Sequence, residues 1–273
     1  MDSYLSNPWN NAAALVVMLF GTQELSTESC FFWSHGTRTF LVTNWHNFAG
    51  RNPLTDKLMS KTGALPDRVV FGAFKQVSPA NAQGFFELKY VLVEVILCKS
   101  DHSSPRWVEH PVFGRKVDIA VIDVTAETQG LQIAAVNALE SDARLDAVAT
   151  QEVFVVGFPF GLMAGAPAPI WKRGSIALDP TFNPEGLPKM LIDTATREGM
   201  SGSVVVARHV IVNRDYPRKN GTMAQPVLFA NLDLVLGIYS GRHYPDHEKA
   251  QLGIVWKRSA IEETVTHGKQ ASV

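Results

Sequence analysis

Phe40-Leu41-Val42-Thr43-Asn44-Trp45-His46-Asn47-Phe48 reads as an apolar strand that ends in a threonine, with a histidine three residues further on. Segments of the same kind recur on both sides of it. Upstream lie Val16–Phe20 and Cys30–Trp33; downstream come Val69–Phe74, Phe85–Leu88 and Tyr90–Cys98. They are rich in Val, Ile, Phe and Tyr, and turn residues such as Gly21, Gly36, Pro79 and Gly84 separate them. Val117–Val124, Glu152–Gly157, Gly174–Leu178 and Met190–Asp193 continue the pattern, followed by Ser203–Ala207, Val227–Ala230, Leu234–Tyr239 and Leu252–Trp256. So many short strands, with almost no helical periodicity, predict an all-β sandwich or barrels. The clearest helix is C-terminal, Arg258–Thr266, with Ser259 as its cap.

The chain has 273 residues, enough for one large domain or two lobes. A polar, alanine-rich stretch from Thr125 to Thr150 separates the strand-rich halves, which suggests lobes at 1–130 and 131–273. Gly161–Pro169 and the basic stretch 208–226 read as loops. Lysine and arginine number 25 against 26 aspartates and glutamates, so no bulk positive field exists to attract nucleic acid or an anionic membrane. Two cysteines exclude a disulfide scaffold. No apolar run reaches the length of a membrane span, and Ala12–Phe20 lacks the basic lead-in of a signal peptide. The expectation is a cytoplasmic protein in which Cys30 and Cys98 are packed, reduced thiols.

Two further motifs accompany the histidine. In Lys116-Val117-Asp118-Ile119-Ala120-Val121-Ile122-Asp123-Val124 an aspartate stands at the head of an apolar strand. In Gly199-Met200-Ser201-Gly202-Ser203-Val204-Val205-Val206 a serine sits between glycines just before another. Each motif alone is weak: a histidine after a strand is more often structural, an aspartate there is usually a turn residue, and glycine clusters usually mean turns. Their order, His…Asp…Ser, in an all-β chain carries more. A serine hydroxyl is a poor nucleophile and needs a base in hydrogen-bond reach. Histidine serves because it is neutral before attack and charged after it, and a carboxylate fixes its tautomer. Asp123 is the rival carboxylate; five residues along a strand it faces the side opposite to Asp118, so only one of the two can point toward His46.

The combination resembles the trypsin-like serine peptidases, specifically their bacterial HtrA-like branch. The family carries a histidine after L-V-T, an aspartate opening D-I-A-V or D-[IL]-A-L, and a serine in G-[DN]-S-G. Here these are Leu41-Val42-Thr43 before His46, Asp118-Ile119-Ala120-Val121, and Gly199-Met200-Ser201-Gly202. Val155-Val156-Gly157-Phe158-Pro159-Phe160-Gly161 is similar to the family's V-G-x-P-F-G segment, and Leu236–Gly241 to its substrate-pairing strand. The resemblance covers roughly residues 12–266 and leaves no room for a PDZ domain. It implies two six-stranded antiparallel β-barrels with a C-terminal helix, and a serine endopeptidase. His46, Asp118 and Ser201 would form the triad, and the amides of Gly199 and Ser201 the oxyanion hole. Ala195 and Thr196 would lie at the base of the primary pocket, and Tyr239, Ser240 and Gly241 would pair with an extended substrate.

Two departures matter. Met200 stands where digestive members have the aspartate that pairs with a new N-terminus, so activation by cleavage is not expected. The oxyanion turn around Glu198–Ser201 would instead await a regulatory partner or the polypeptide substrate. Ser203 replaces a frequent glycine, and its β-carbon would narrow the floor behind the nucleophile. Uncharged Ala195 and Thr196 favour a small or medium apolar residue before the cut. The rival reading is a catalytically silent protease-fold binding or scaffold module. No cofactor is expected. An α/β-hydrolase needs the order Ser…Asp…His. A zinc site would rest on His243 and His247 with Pro245 between them, too few ligands on a segment that cannot be a regular helix. His35, His102, His110, His209 and His267 read as surface residues.

Overall fold

Buried alternation along β-strands organises the molecule. The computed structural model describes residues 7–81, 86–98, 104–163, 167–195, 197–225, 227–242 and 251–272. Thr196, His102, Phe85 and the His243–His247 pair lie outside them. The first strands are β1 (Ala13–Phe20), β2 (Gln23–His35) and β3 (Arg38–Thr43), then α1 (Trp45–Ala49). After them come β4 (Arg68–Gln76), β5 (Leu88–Ile96), β6 (Val108–Glu109), β7 (Ala120–Asp123) and β8 (Leu131–Gln132). The second half holds β9 (Glu152–Gly157), β10 (Ile170–Ile176), β11 (Lys189–Asp193), β12 (Val204–Arg214), β13 (Val227–Arg242) and β14 (Leu252–Lys257). Helix α2 (Arg258–His267) and β15 (Lys269–Gln270) follow.

The all-β class and the C-terminal helix are as expected. The hydrogen-bonded path closes only in the second half, as the six-stranded barrel β10-β11-β14-β13-β12-β9. The first eight strands and the C-terminal β15 form a nine-stranded sheet in the order β15-β6-β7-β3-β2-β1-β4-β5, with β8 also on β4, which among the described residues is not a closed six-stranded ladder. Successive side chains point to opposite faces of a strand, and in the central strands both faces are buried. Cys30 and Phe32 of β2 pack inside the first sheet with Leu41, Trp45 and Trp107. Phe31 and Trp33 turn to a shared core with Val121, Val204, Val206 and Trp256, which joins sheet to barrel. From β12, Val205 and Ala207 face the barrel interior with Ile192, Met200 and Val255. Double burial is why these strands read as unbroken apolar runs.

Local departures have physical causes. The stretch 208–226, expected as a loop, begins as strand: β12 pairs with β13 out to Arg214↔Val227. β9 accompanies β12 only as far as Ala207. Beyond that point one face of the hairpin is exposed at Val210 and Val212 while Ile211 and Leu232 pack against Ala143 on the other, so its pattern is mixed. For the same reason Val227–Ala230 and Leu234–Tyr239 are one strand. The strand expected at Tyr90–Cys98 is β5, which starts at Leu88 and stops at Ile96, and β7 is only the centre of Val117–Val124. Ser259 does not cap α2; Lys257 occupies that position without a side-chain bond.

Candidate active site

Pairing of Thr43 with Ala120 brings the end of β3 beside the entry to β7. His46, in α1, and Asp118, two residues before β7, therefore meet. His46 Nδ1 lies 2.7 Å from Asp118 Oδ2, and the His46 main-chain N–H donates to Oδ1 at 3.0 Å. A carboxylate only accepts, so Nδ1 carries the hydrogen and Nε2 is left as the acceptor. Asn44 Nδ2 donates to the Asp118 carbonyl at 2.8 Å, and the Ser240 hydroxyl donates to Asp118 Oδ2. Both side chains are buried. Trp45 anchors α1 from below, its Nε1 donating to Glu109 at 2.9 Å and its ring packed edge-on against Trp107. Burial disfavours a charged His46 ring, but the Asp118 charge and hydrogen bond, helped by Glu28, outweigh it and hold the pKa above the ordinary histidine value. Asp123 faces elsewhere and binds Thr125 and Arg38. Burial works against its charge; the Thr125 bonds and Arg38 prevail and keep its pKa low.

Ser201 comes from the other half of the chain. Its carbonyl accepts the Ser29 N–H of β2 at 3.0 Å. The Ser29 hydroxyl donates to the Gly199 carbonyl at 2.7 Å and accepts the Phe158 N–H at 2.9 Å. One buried oxygen thus joins β2, the turn before Ser201 and the end of β9. Gly199 and Gly202 have φ of +81° and +85°, left-handed values that disfavour side chains. A β-carbon on Gly202 would lie 2.0 Å from the Ser29 carbonyl oxygen, so the turn sits directly on β2. Among the described residues no hydrogen bond reaches Ser201 Oγ, from His46 or any other group.

The turn orients two amides. The Glu198 carbonyl accepts from Phe160 N–H at 2.7 Å, and the Met200 carbonyl from Ser203 N–H at 3.0 Å. In a trans peptide the N–H points opposite to the C=O. The Gly199 and Ser201 N–H groups therefore point away from those anchors, and neither donates to another described residue. Met200 is fully buried in the barrel core, which replaces an ion pair at this position with apolar packing. The Ser203 side chain does not narrow the cleft. Its Oγ fills the space over Gly157 on β9, where a β-carbon would come within 1.9 Å of it.

The expected substrate contacts divide. Ala195 borders an open cleft of about 410 Å³ that also includes Glu152, Arg173 and Asp193, so its surroundings are more charged than Ala195 alone suggests. Neither His46 nor Ser201 lines that cleft. The main chain of Tyr239 is occupied: its N–H donates to Ser203 O at 2.8 Å and its carbonyl accepts from Gly202 N–H at 3.0 Å. Ser240 and Gly241 fall in the register shift of the β13–β14 ladder. Sequence reasoning missed the Ser240 side chain, the Ser29 joint and the half-buried Glu28; each looks like an ordinary polar strand residue. His110 is not on the surface. It is buried, its Nδ1 accepts from the amides of Val112 and Phe113, and burial lowers its pKa despite Glu263 nearby.

Comparison with known proteins follows the same lines. The solved structure of the serine endoprotease from Yersinia pestis is 13% identical, with a TM-score of 0.49. That match covers 94% of this chain and 62% of the other, so the present chain spans less than two thirds of that protein. The inactive form of the Rv3671c protease is 14% identical with a TM-score of 0.46, covering 98% of this chain and 97% of that one. No curated protein matches the chain. Residues 28–210, more than half of the sequence, match the trypsin-like peptidase domain. The chain belongs to the trypsin-like peptidase family.

Proposed function

We propose that the protein is a serine endopeptidase that cleaves polypeptides through an acyl-enzyme intermediate. The observation that carries this reading is the Asp118 carboxylate, which accepts both the His46 ring N–H and its main-chain N–H. It leaves Nε2 as a free base on a ring whose pKa is raised. In the proposed first step Ser201 Oγ bonds to the scissile carbonyl carbon while its proton passes to His46 Nε2. The carbonyl oxygen becomes an oxyanion, for which the unengaged Gly199 and Ser201 amides are the available donors. Collapse breaks the C–N bond, and His46 returns the proton to the departing amine. Water, deprotonated by the same ring, then releases the acid and restores Ser201. Asp118 keeps the tautomer and stabilises the imidazolium; Ser240 and Asn44 hold Asp118 in turn.

In this reading the extended substrate lies along Ser240 and Gly241, and Ala195 and Thr196 contribute to the primary pocket. Cytoplasmic residence and control by a protein partner belong to the same proposal. The absence of a hydrogen bond to Ser201 Oγ favours a second reading, a silent binding module. Free active sites are often looser than their complexes, and the hydrogen bond to Ser201 Oγ then forms with substrate bound. Intact mass after incubation with a fluorophosphonate probe separates the two. The expected result is one adduct on wild type and none on Ser201→Ala. A folded wild-type protein that stays unlabelled, alone and with polypeptide present, refutes the endopeptidase.

A further inference from the structure

Glu28 is a half-buried acid that the chemistry above does not use. It sits on β2 opposite Val16 of β1, one residue before the Ser29 N–H that binds the Ser201 carbonyl. Its Oε2 is shut off from solvent and has no hydrogen-bond partner. Ser26, two residues earlier on the same face of the strand, lines a cavity of about 100 Å³ together with His46, Asn47 and Met59. Glu28 therefore belongs to the face that β2 presents to His46. The charged groups acting on it are His46 from α1, Glu198 from the turn before Ser201 and Asp118 from the entry to β7.

We infer that Glu28 is a positioning residue for His46, a second carboxylate that stabilises the ring's positive charge when Ser201 gives up its proton. The inference rests on the proposed serine chemistry. A carboxylate oxygen without a donor is costly to bury and needs a nearby positive charge to offset the cost. His46 supplies that charge only when it is protonated, which is the state formed during attack. The reciprocal effect is visible in both groups. Burial pushes the Glu28 carboxyl up to about 7, with Glu198 and Asp118 pushing the same way and His46 opposing. Glu28 in turn helps to raise His46. Each favours the charged form of the other, so ionised Glu28 and protonated His46 form together. A structural polar residue at this place would leave the titration of His46 unchanged.

The test follows the His46 ring by NMR across pH in full-length Ser201→Ala protein, its signal assigned by loss in His46→Ala. Glu28→Gln, Glu28→Ala and Glu28→Asp are compared in that background. An opposite charge close to a titrating group shifts it by about one unit or more, so the Gln and Ala variants are expected to titrate about one unit lower. Glu28→Asp, which keeps the charge, should recover most of the difference. Identical midpoints in every variant that folds would overturn the inference. With Ser201 present, the acid limb of kcat/KM for peptide cleavage should move downward in pH by the same amount in Glu28→Gln. Wild type that cleaves no peptide would refute the serine chemistry, while the NMR titration would still decide whether Glu28 acts on His46.

Discussion

Replacing Ser29 with alanine removes a single oxygen and strands two buried partners. The Gly199 carbonyl loses a donor at 2.7 Å and the Phe158 N–H loses an acceptor at 2.9 Å. Ser29 is 0% exposed, so bulk water has no route to either group. A buried polar group left unpaired costs about 1–3 kcal/mol, so Ser29→Ala, which strands two, should lower unfolding stability by about 2–6 kcal/mol. The effect on chemistry is separate. The Gly199 turn, freed on one side, lets the oxyanion amide drift. Loss of one such donor raises a barrier by about 2.7–4 kcal/mol, so the rate of phosphonate labelling should fall by about a hundredfold. Urea unfolding followed by tryptophan fluorescence measures the first effect, and labelling under native conditions the second. An unfolding free energy within about 0.5 kcal/mol of wild type, the range of a surface substitution, together with unchanged labelling, would refute the reasoning.

Asp118→Asn should remain folded yet lose about ten-thousand-fold in kcat/KM, because an amide disrupts the tautomer that the carboxylate imposes; a loss under tenfold would exclude Asp118 from that role. Gly202→Ala places a β-carbon 2.0 Å from Ser29 O and 2.5 Å from Thr43 Oγ1 at a left-handed φ. It should destabilise by about 3 kcal/mol or more, and an unchanged melting temperature would contradict the packing of the turn on β2. Glu28 is raised from 4.5 to about 7 on folding. Its favourable contribution is complete below pH 4.5 and is lost as pH rises through 7. Measured from pH 5 to 8, Glu28→Gln should therefore gain about 3 kcal/mol of stability relative to wild type. A constant difference across that range would show that Glu28 is not buried as described.

Reading outward from His46 reached the three proposed catalytic side chains because each is tied to a strand end with a short local signature. Thr43 and Ala120 are paired strand residues that bring His46 and Asp118 together, and Val204 opens the strand that follows Ser201. Features that depend on tertiary proximity were not legible. Ser29, Glu28 and Ser240 occupy strand positions where a polar residue ordinarily marks a solvent face; packing of the barrel against the sheet gives Ser29 and Ser240 their partners and shuts Glu28 Oε2 off from solvent. His110 has no local pattern of burial; the neighbouring Val112 and Phe113 amides and Glu263 create its site. The length of the β12–β13 hairpin escaped for the opposite reason, since its outer half is paired but buries only the face that carries Ile211 and Leu232. The open first sheet was invisible because alternation gives faces, not the closure of a ladder.

His46 and Asp118 stand on the nine-stranded sheet, whereas Ser201 enters the barrel. Under the proposed chemistry neither half holds a working set of groups. A nascent chain that has reached only β1–β8 has a base without a nucleophile, and a detached barrel has the reverse. The bond from Ser29 N–H to Ser201 O forms only when the halves dock. Hydrolytic power is then a property of the completed chain alone, and a half-made or torn molecule is harmless to its neighbours in a crowded cell.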